Sequence, residues 1–265
     1  MDLSFKLFDF NTEQIIDDNS NDNKKDNKLF RIQMFGLNEC GETCCIYVNG
    51  FNPYFYIKSS NKINENDKNG IIEFSKEMVD EYYNESFIDC ECELVNHNKL
   101  YGFDENKKFQ FIKLSFKNYT TYNKVKNLWY KVTGTGENYN KVLDKRGVKF
   151  KNNKLELYEA HIPPLLRYFH ITNISPSGWI SINNKYLIKK SKNSYCKYEF
   201  NVHYKNIIPE PEKEMLVPYK ICSFDIEASS SHGDFPLPKK DYKKLCQNII
   251  ENLPILNIDK NDIAV

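Results

Sequence analysis

The 265-residue chain carries 37 Lys and Arg against 36 Asp and Glu, a net charge of +1 that excludes a uniformly basic nucleic-acid coat and a strongly acidic solvating tail. Charge is segmented all the same: residues 117–154 hold ten Lys/Arg and two Asp/Glu, residues 185–205 six and one, and residues 1–116 thirteen and twenty-one. A hydrophobic share of 40%, with 14% aromatic, supports a buried core, and the length suffices for one large domain or two ordinary ones.

Residues 1–28 end in the polar run NSNDNKKDNK, which buries too little apolar surface to order itself and predicts a flexible amino-terminal segment. Leu29–Gly36, Thr43–Val48 and Tyr54–Lys58 are short aromatic and β-branched runs separated by the turn signals NECGE and NGFNP, which predicts an antiparallel meander. Gly50 and Pro53 set its second turn, and Phe51, Tyr54 and Tyr56 are expected to pair across the hairpin rather than to form a stacking platform. After a polar loop at 59–70, Ile71, Phe74, Met78 and Tyr82 recur at helical spacing. Asp89–Val95 and Phe109–Phe116 alternate as strands, and Tyr122, Val125, Trp129 and Val132 return to the helical period.

Ile162–Ile171 predicts a short helix entered through Pro163 and Pro164, because the first turn requires no amide donor. Gly178–Ile182, Tyr186–Ile188 and Tyr195–Tyr204 have the composition of strands, so that residues 29–210 form one β-rich domain. The proline-containing stretch 206–218 predicts a linker, and residues 211–265 open a second unit. In that unit Tyr219–Glu227 reads as an apolar strand covered on both faces, and Tyr242, Leu245, Ile249 and Leu253 mark an amphipathic helix.

On the expected strand, Asp225 and Glu227 lie two apart and point to one face. Two carboxylates that close repel, so either one takes up a proton or both share a cation. Hard oxygen ligands suit Mg²⁺ or Mn²⁺, and a pair of such ions can hold the attacking water and the leaving oxygen of a phosphodiester. The spacing alone is not specific, since Asp89 and Glu91 share it on an amphipathic strand with a solvated face. What distinguishes Asp225 is the apolar run before it and the loop SSSHGDFPLP after it, in which His232 is expected to be simply exposed.

The basic stretch 117–154 interleaves its cations with Tyr119, Tyr122, Trp129, Tyr130, Tyr139 and Phe150, the composition of a strand-binding groove. Lys124, Lys126, Lys131, Lys145, Arg146 and Lys149 are the DNA-binding candidates, whereas Tyr122 and Trp129 are expected in the core. Eight cysteines without a C-x-x-C pair, and histidines away from ligand spacing, argue against a zinc site. With no secretory signal and no apolar run of roughly 20 residues, a reducing intracellular compartment and no membrane are expected.

The segment FDIEASSSHGDFPLP, residues 224–238, resembles the first exonuclease motif of family B DNA polymerases, most closely the delta-like enzymes of large DNA viruses. QMFGLNECGETCCIYVNGFNPYFYIK, residues 33–58, is similar to their amino-terminal β-rich region, and YEAHIPPLLRYFHITNISPSGWI, residues 158–180, to the segment leading towards their exonuclease domain. The resemblance implies an α+β chain, in which the β-rich amino-terminal domain of a replicative polymerase precedes the first strand of an RNase H-like 3′–5′ proofreading exonuclease. Asp225 and Glu227 would be its catalytic carboxylates and Mg²⁺ ligands. Its partners would be primer-template DNA, single-stranded 3′ ends, the remainder of the polymerase and a sliding clamp, at a viral replication site in host cytoplasm or nucleus.

The chain departs from that pattern by stopping at Val265, before the later exonuclease carboxylates and the polymerase palm. It is therefore expected neither to polymerise nor to proofread alone. A helix over Lys239–Leu253 is also expected where cellular members place a strand. The readings that compete are a non-catalytic single-stranded-DNA-binding or scaffold module of a split polymerase, and an unrelated RNase H-like nuclease completed by Asp234, Asp241 or Asp259.

Overall fold

The computed structural model describes residues 2–16, 28–78, 90–99, 105, 107–134, 140–189, 192–225 and 243–252. Two units result, Met1–Tyr219 and Lys220–Val265, so the break follows Tyr219 rather than the expected 210–211 boundary. The architecture is mixed α+β and mostly strand.

The first sheet contains β1 (Asp2–Ile16), β2 (Lys28–Leu37), β3 (Thr43–Asn49), β11 (Trp179–Asn183), β12 (Tyr198–His203) and β13 (Ile207–Glu210). Their order is β12-β3-β2-β1-β11-β13, antiparallel throughout except for the parallel pair β12 and β3. Asp2–Ile16 thus corrects the expectation of a flexible start. Phe5 and Leu7 are fully buried in the first core, and β1 pairs with β2 from Lys6↔Leu37 to Ile16↔Lys28. The polar run 19–28 says nothing about the alternating apolar residues that precede it.

The expected linker is corrected in the same way. Ile207–Glu210 is an edge strand, where Pro209 is tolerated because no ladder donor is lost. Further along, the Trp179 indole donates to the Met215 carbonyl at 2.9 Å, and Val217 packs with Leu37 and Trp179.

The second sheet contains β4 (Tyr54–Ser59), β5 (Glu91–Asn98), β6 (Lys108–Ser115), β9 (Val148–Phe150) and β10 (Asn153–Tyr158), in the order β5-β6-β4-β10-β9. The expected meander therefore ends after β3, and β4 crosses to another sheet. The turn needs Gly50, at φ +78°, because a Cβ there would lie 2.3 Å from the His203 ring. Phe51 then enters the first core, while Phe55 and Ile57 enter the second.

Helices α1 (Glu65–Met78) and α2 (Tyr119–Lys126) cover one face of this sheet, with Ile71, Tyr122 and Val125 packed on Phe55, Ile57, Ile112, Leu114 and Leu155. Helix α1 starts inside the expected 59–70 loop; the Asn64 side chain accepts from the Asp67 amide, and Glu65 and Asp67 complement the positive helix end. For α2 the cap is Asn118, which accepts from the Thr121 amide at 2.7 Å.

The helical pattern expected through Val132 stops at a 3₁₀ turn, Asn127–Trp129. There the Trp129 indole donates to the Leu155 carbonyl at 2.9 Å, and the chain turns into β7 (Tyr130–Thr133), which pairs with β8 (Asn140–Leu143). The prolines at 163 and 164 open α3 (Pro164–Thr172) as expected. In place of a strand at Tyr186–Ile188 there is a 3₁₀ turn, Asn184–Tyr186, with a single bridge from Leu187 to Phe200.

In the second unit, α4 (Lys243–Asn252) matches the expected amphipathic helix. The described part of the expected strand Tyr219–Glu227, through Asp225, forms no ladder. A strand buried on both faces needs strands beside it, and the described residues of this unit supply none.

Candidate nucleic-acid interface and carboxylate segment

Asp225 sits in the extended, exposed stretch 220–225, where Ile221 and Phe224 are 88% and 80% exposed. Glu227 lies outside the described residues, as do His232, Asp234, Asp241, Asp259 and the Asp89 of the comparison pair. Among the described residues no group of three or more His, Cys, Asp or Glu is arranged to hold a metal ion. The Asp225 carboxylate has the right donor chemistry for a hard cation, but Mg²⁺ takes about six oxygen ligands and one carboxylate does not fix their geometry. The described residues do not by themselves fit a metal centre.

The basic stretch divides by residue type. Its aromatics are structural: Tyr122 and Trp129 are each 1% exposed, Phe150 is buried, and the Tyr122 hydroxyl donates to the Ala160 carbonyl at 2.9 Å. Tyr139 lies outside the described residues.

Its cations spread over three places. Lys124 and Lys126 are half-buried on α2, with the Lys126 ammonium 5.2 Å from the Tyr122 ring; burial, and then the charge of Lys141, pull its pKa down. On the β7–β8 hairpin Lys131 is paired with Asp144 at 2.6 Å, a contact that with the Arg146 amide holds the Asp144 carboxyl below its ordinary range. Lys145 and Arg146 are exposed in the turn before β9, and Lys149 stands opposite Lys154 across β9 and β10. The six candidates therefore form no single row.

Two other polar features stand out. A cleft of about 590 Å³ opens beside Ile16, Phe30, Arg31 and Lys117, but the Arg31 guanidinium is already bonded to Glu13 at 2.6 Å and stacked on Tyr47 at 4.5 Å. On α3, Arg167 donates to the Glu159 carboxylate and carbonyl, both at 2.8 Å, and lies 4.5 Å from the centre of the Tyr54 ring. His97 and Phe109 stand opposite one another across β5 and β6.

A family model for the DNA polymerase family B exonuclease domain matches residues 155–247. The DNA polymerase of Phaeocystis pouchetii virus is 44% identical over 94% of this chain and 24% of its own length. The DNA polymerase delta catalytic subunit of Schizosaccharomyces pombe is 27% identical over 79% of this chain and 18% of its own. A solved family B DNA polymerase from Pyrobaculum calidifontis aligns with a TM-score of 0.46 at 14% identity, covering 78% of this chain and 21% of that one. The chain thus spans about a quarter or less of the relatives it matches.

Proposed function

As a chain that belongs with the viral and delta-type family B DNA polymerases, the protein is, we propose, the amino-terminal part of a replicative DNA-directed DNA polymerase with 3′–5′ proofreading activity. The observation that carries the reading is similarity along nearly the whole chain to a viral DNA polymerase, including the FDIE block at 224–227. In the complete enzyme Asp225 and Glu227 act as Mg²⁺ ligands. The cations of 117–154 hold the strand by its phosphates. Primer-template DNA, the remaining polymerase and a sliding clamp are the partners, in a reducing compartment at a viral replication site. Among the described residues no helix is long and apolar enough to cross a membrane.

The test is excision of a mispaired 3′ terminus by the full-length polymerase that contains this chain. Asp225→Ala should abolish excision and leave nucleotide addition largely intact. Excision unchanged by Asp225→Ala would overturn the ligand assignment. The 265-residue chain alone should neither excise nor extend, and excision by it that is lost on Asp225→Ala would show a complete site instead.

A further inference from the structure

We infer that Tyr195 is a docking knob: held out on a braced loop, its ring inserts into an apolar, acid-rimmed pocket on the part of the parent protein that this chain does not contain. The inference rests on the reading of the chain as the amino-terminal part of a larger polymerase. It involves neither Asp225 nor the cations of 117–154.

Tyr195 protrudes furthest of the exposed large hydrophobic side chains among the described residues, at 110% exposure against 45% for Tyr219. A ring left in water forgoes the free energy of burial, and a slack loop would let it fold back onto nearby apolar surface. This loop is tied from beneath. The tie is Glu199, the second residue of β12, whose side chain is buried at 0% exposure. One of its carboxylate oxygens accepts from the Asn193 amide at 3.1 Å and the other from the Ser194 amide, the two residues that lead into Tyr195. Burying a carboxylate is costly unless it is hydrogen-bonded, and here its bonds go to the loop. On the far side of the ring the Cys196 amide donates to the Ser194 hydroxyl at 3.2 Å. The Lys192 ammonium donates to the Cys196 and Lys197 carbonyls and so bridges the two ends of the loop. The Lys197 amide then donates to the Thr43 hydroxyl at 3.2 Å and its ammonium to Glu42, which anchors the loop at the start of β3.

Preorganisation turns an exposed ring into an anchor. A tyrosine has only two χ angles to immobilise, and a braced loop leaves little further entropy to lose on docking. Aromatic anchors of this kind dominate an interface when they fill a pocket. Charge sets the rim: residues 185–205 carry six Lys/Arg and one Asp/Glu, and that one acid is the buried Glu199. Lys189, Lys192 and Lys197 are exposed, so the ring stands in a positive setting and the complementary pocket is edged by Asp or Glu.

A nucleic-acid strand is the poorer match. The two cations beside the ring are already engaged, Lys192 by carbonyls and Lys197 by Glu42. A strand held by its phosphates needs direct contact with them, whereas a pocket draws its affinity from the ring and needs their charge only at a distance. The chain covers 24% of the viral polymerase that it matches, so the rest of such a parent offers a large tethered surface. A tethered pocket meets Tyr195 at high effective concentration.

Tetranitromethane, which nitrates exposed tyrosine rings, tests the assignment on the 265-residue chain and on the full-length polymerase that contains it. Tyr195 is followed by peptide mass spectrometry against a free tyrosine standard in the same tube. It should react readily in the 265-residue chain and about tenfold more slowly in the full-length enzyme. Tyr195→Ala should lower the thermal midpoint of the full-length enzyme and leave that of the 265-residue chain unchanged, while Tyr195→Phe keeps the ring and should retain most of the docking. Equal reactivity of Tyr195 in the two proteins would overturn the inference. So would protection seen only after primer-template DNA is added, which would assign the ring to nucleic acid. Excision and extension by the same full-length preparation report on the polymerase reading separately: a protein that does neither would sink that reading, while the reactivity of Tyr195 would still decide the docking.

Discussion

At Glu42 three donors converge on one carboxylate: the Lys197 ammonium, the Asn38 amide at 2.7 Å and the Tyr198 hydroxyl at 2.9 Å. Led by the Lys197 bond, they lower its pKa from an ordinary 4.5 to about 2. The contact ties the β2–β3 turn to the start of β12, where the sheet has its parallel pair. Because the folded value is depressed, the stabilisation is fully present above the unfolded pKa and is lost as pH falls through the folded one. Glu42→Gln should therefore be less stable than the parent near neutral pH, and the difference should shrink between pH 4.5 and about 2. Urea unfolding across that range measures it, and a difference that grows on acidification would refute the assignment. No such residue is legible in sequence, because two of its three partners, Lys197 and Tyr198, lie 155 and 156 residues further along the chain. Tyr122 and Trp129, by contrast, are legible as core because their helical spacing is local.

The same contrast holds for elements. β2, β3, β6 and α3 follow from short-range pattern and from the paired prolines, and the structure contains each close to its expected bounds. What pattern does not specify is the partner: the same alternation that marks β4 as a strand fits either sheet, and β13 resembles a linker until β11 is seen beside it. The turn at Gly50 decides that β4 leaves the first sheet, which makes it the sensitive point. Gly50→Ala combines a left-handed backbone at φ +78° with a Cβ driven into the His203 ring, and should cost about 1–3 kcal/mol. In the double variant with His203→Ala the clash is relieved and the backbone cost remains, so the two changes should couple by more than about 0.5 kcal/mol. Strict additivity in urea denaturation would show that the ring contact carries no weight. The carboxylate site was legible only as residue types, since a strand at Tyr219–Glu227 depends on neighbours that the described residues do not provide.

Over the whole molecule, a net charge of +1 conceals cations gathered in separate places, and they are not equivalent. Lys131 is neutralised by Asp144 at 2.6 Å, and Lys126 is half-buried over Tyr122 with its charged form disfavoured. Lys145 and Lys149 are exposed and enter no ion pair among the described residues, so they should carry most of the phosphate contact proposed for 117–154. Each single-strand phosphate neutralised adds about −0.7 to the slope of log affinity against log salt. Replacing both by Ala should make that slope shallower by about 1.4 and weaken binding alike for every sequence. A double-lysine variant with the parent's slope would move the phosphate contacts elsewhere on the molecule.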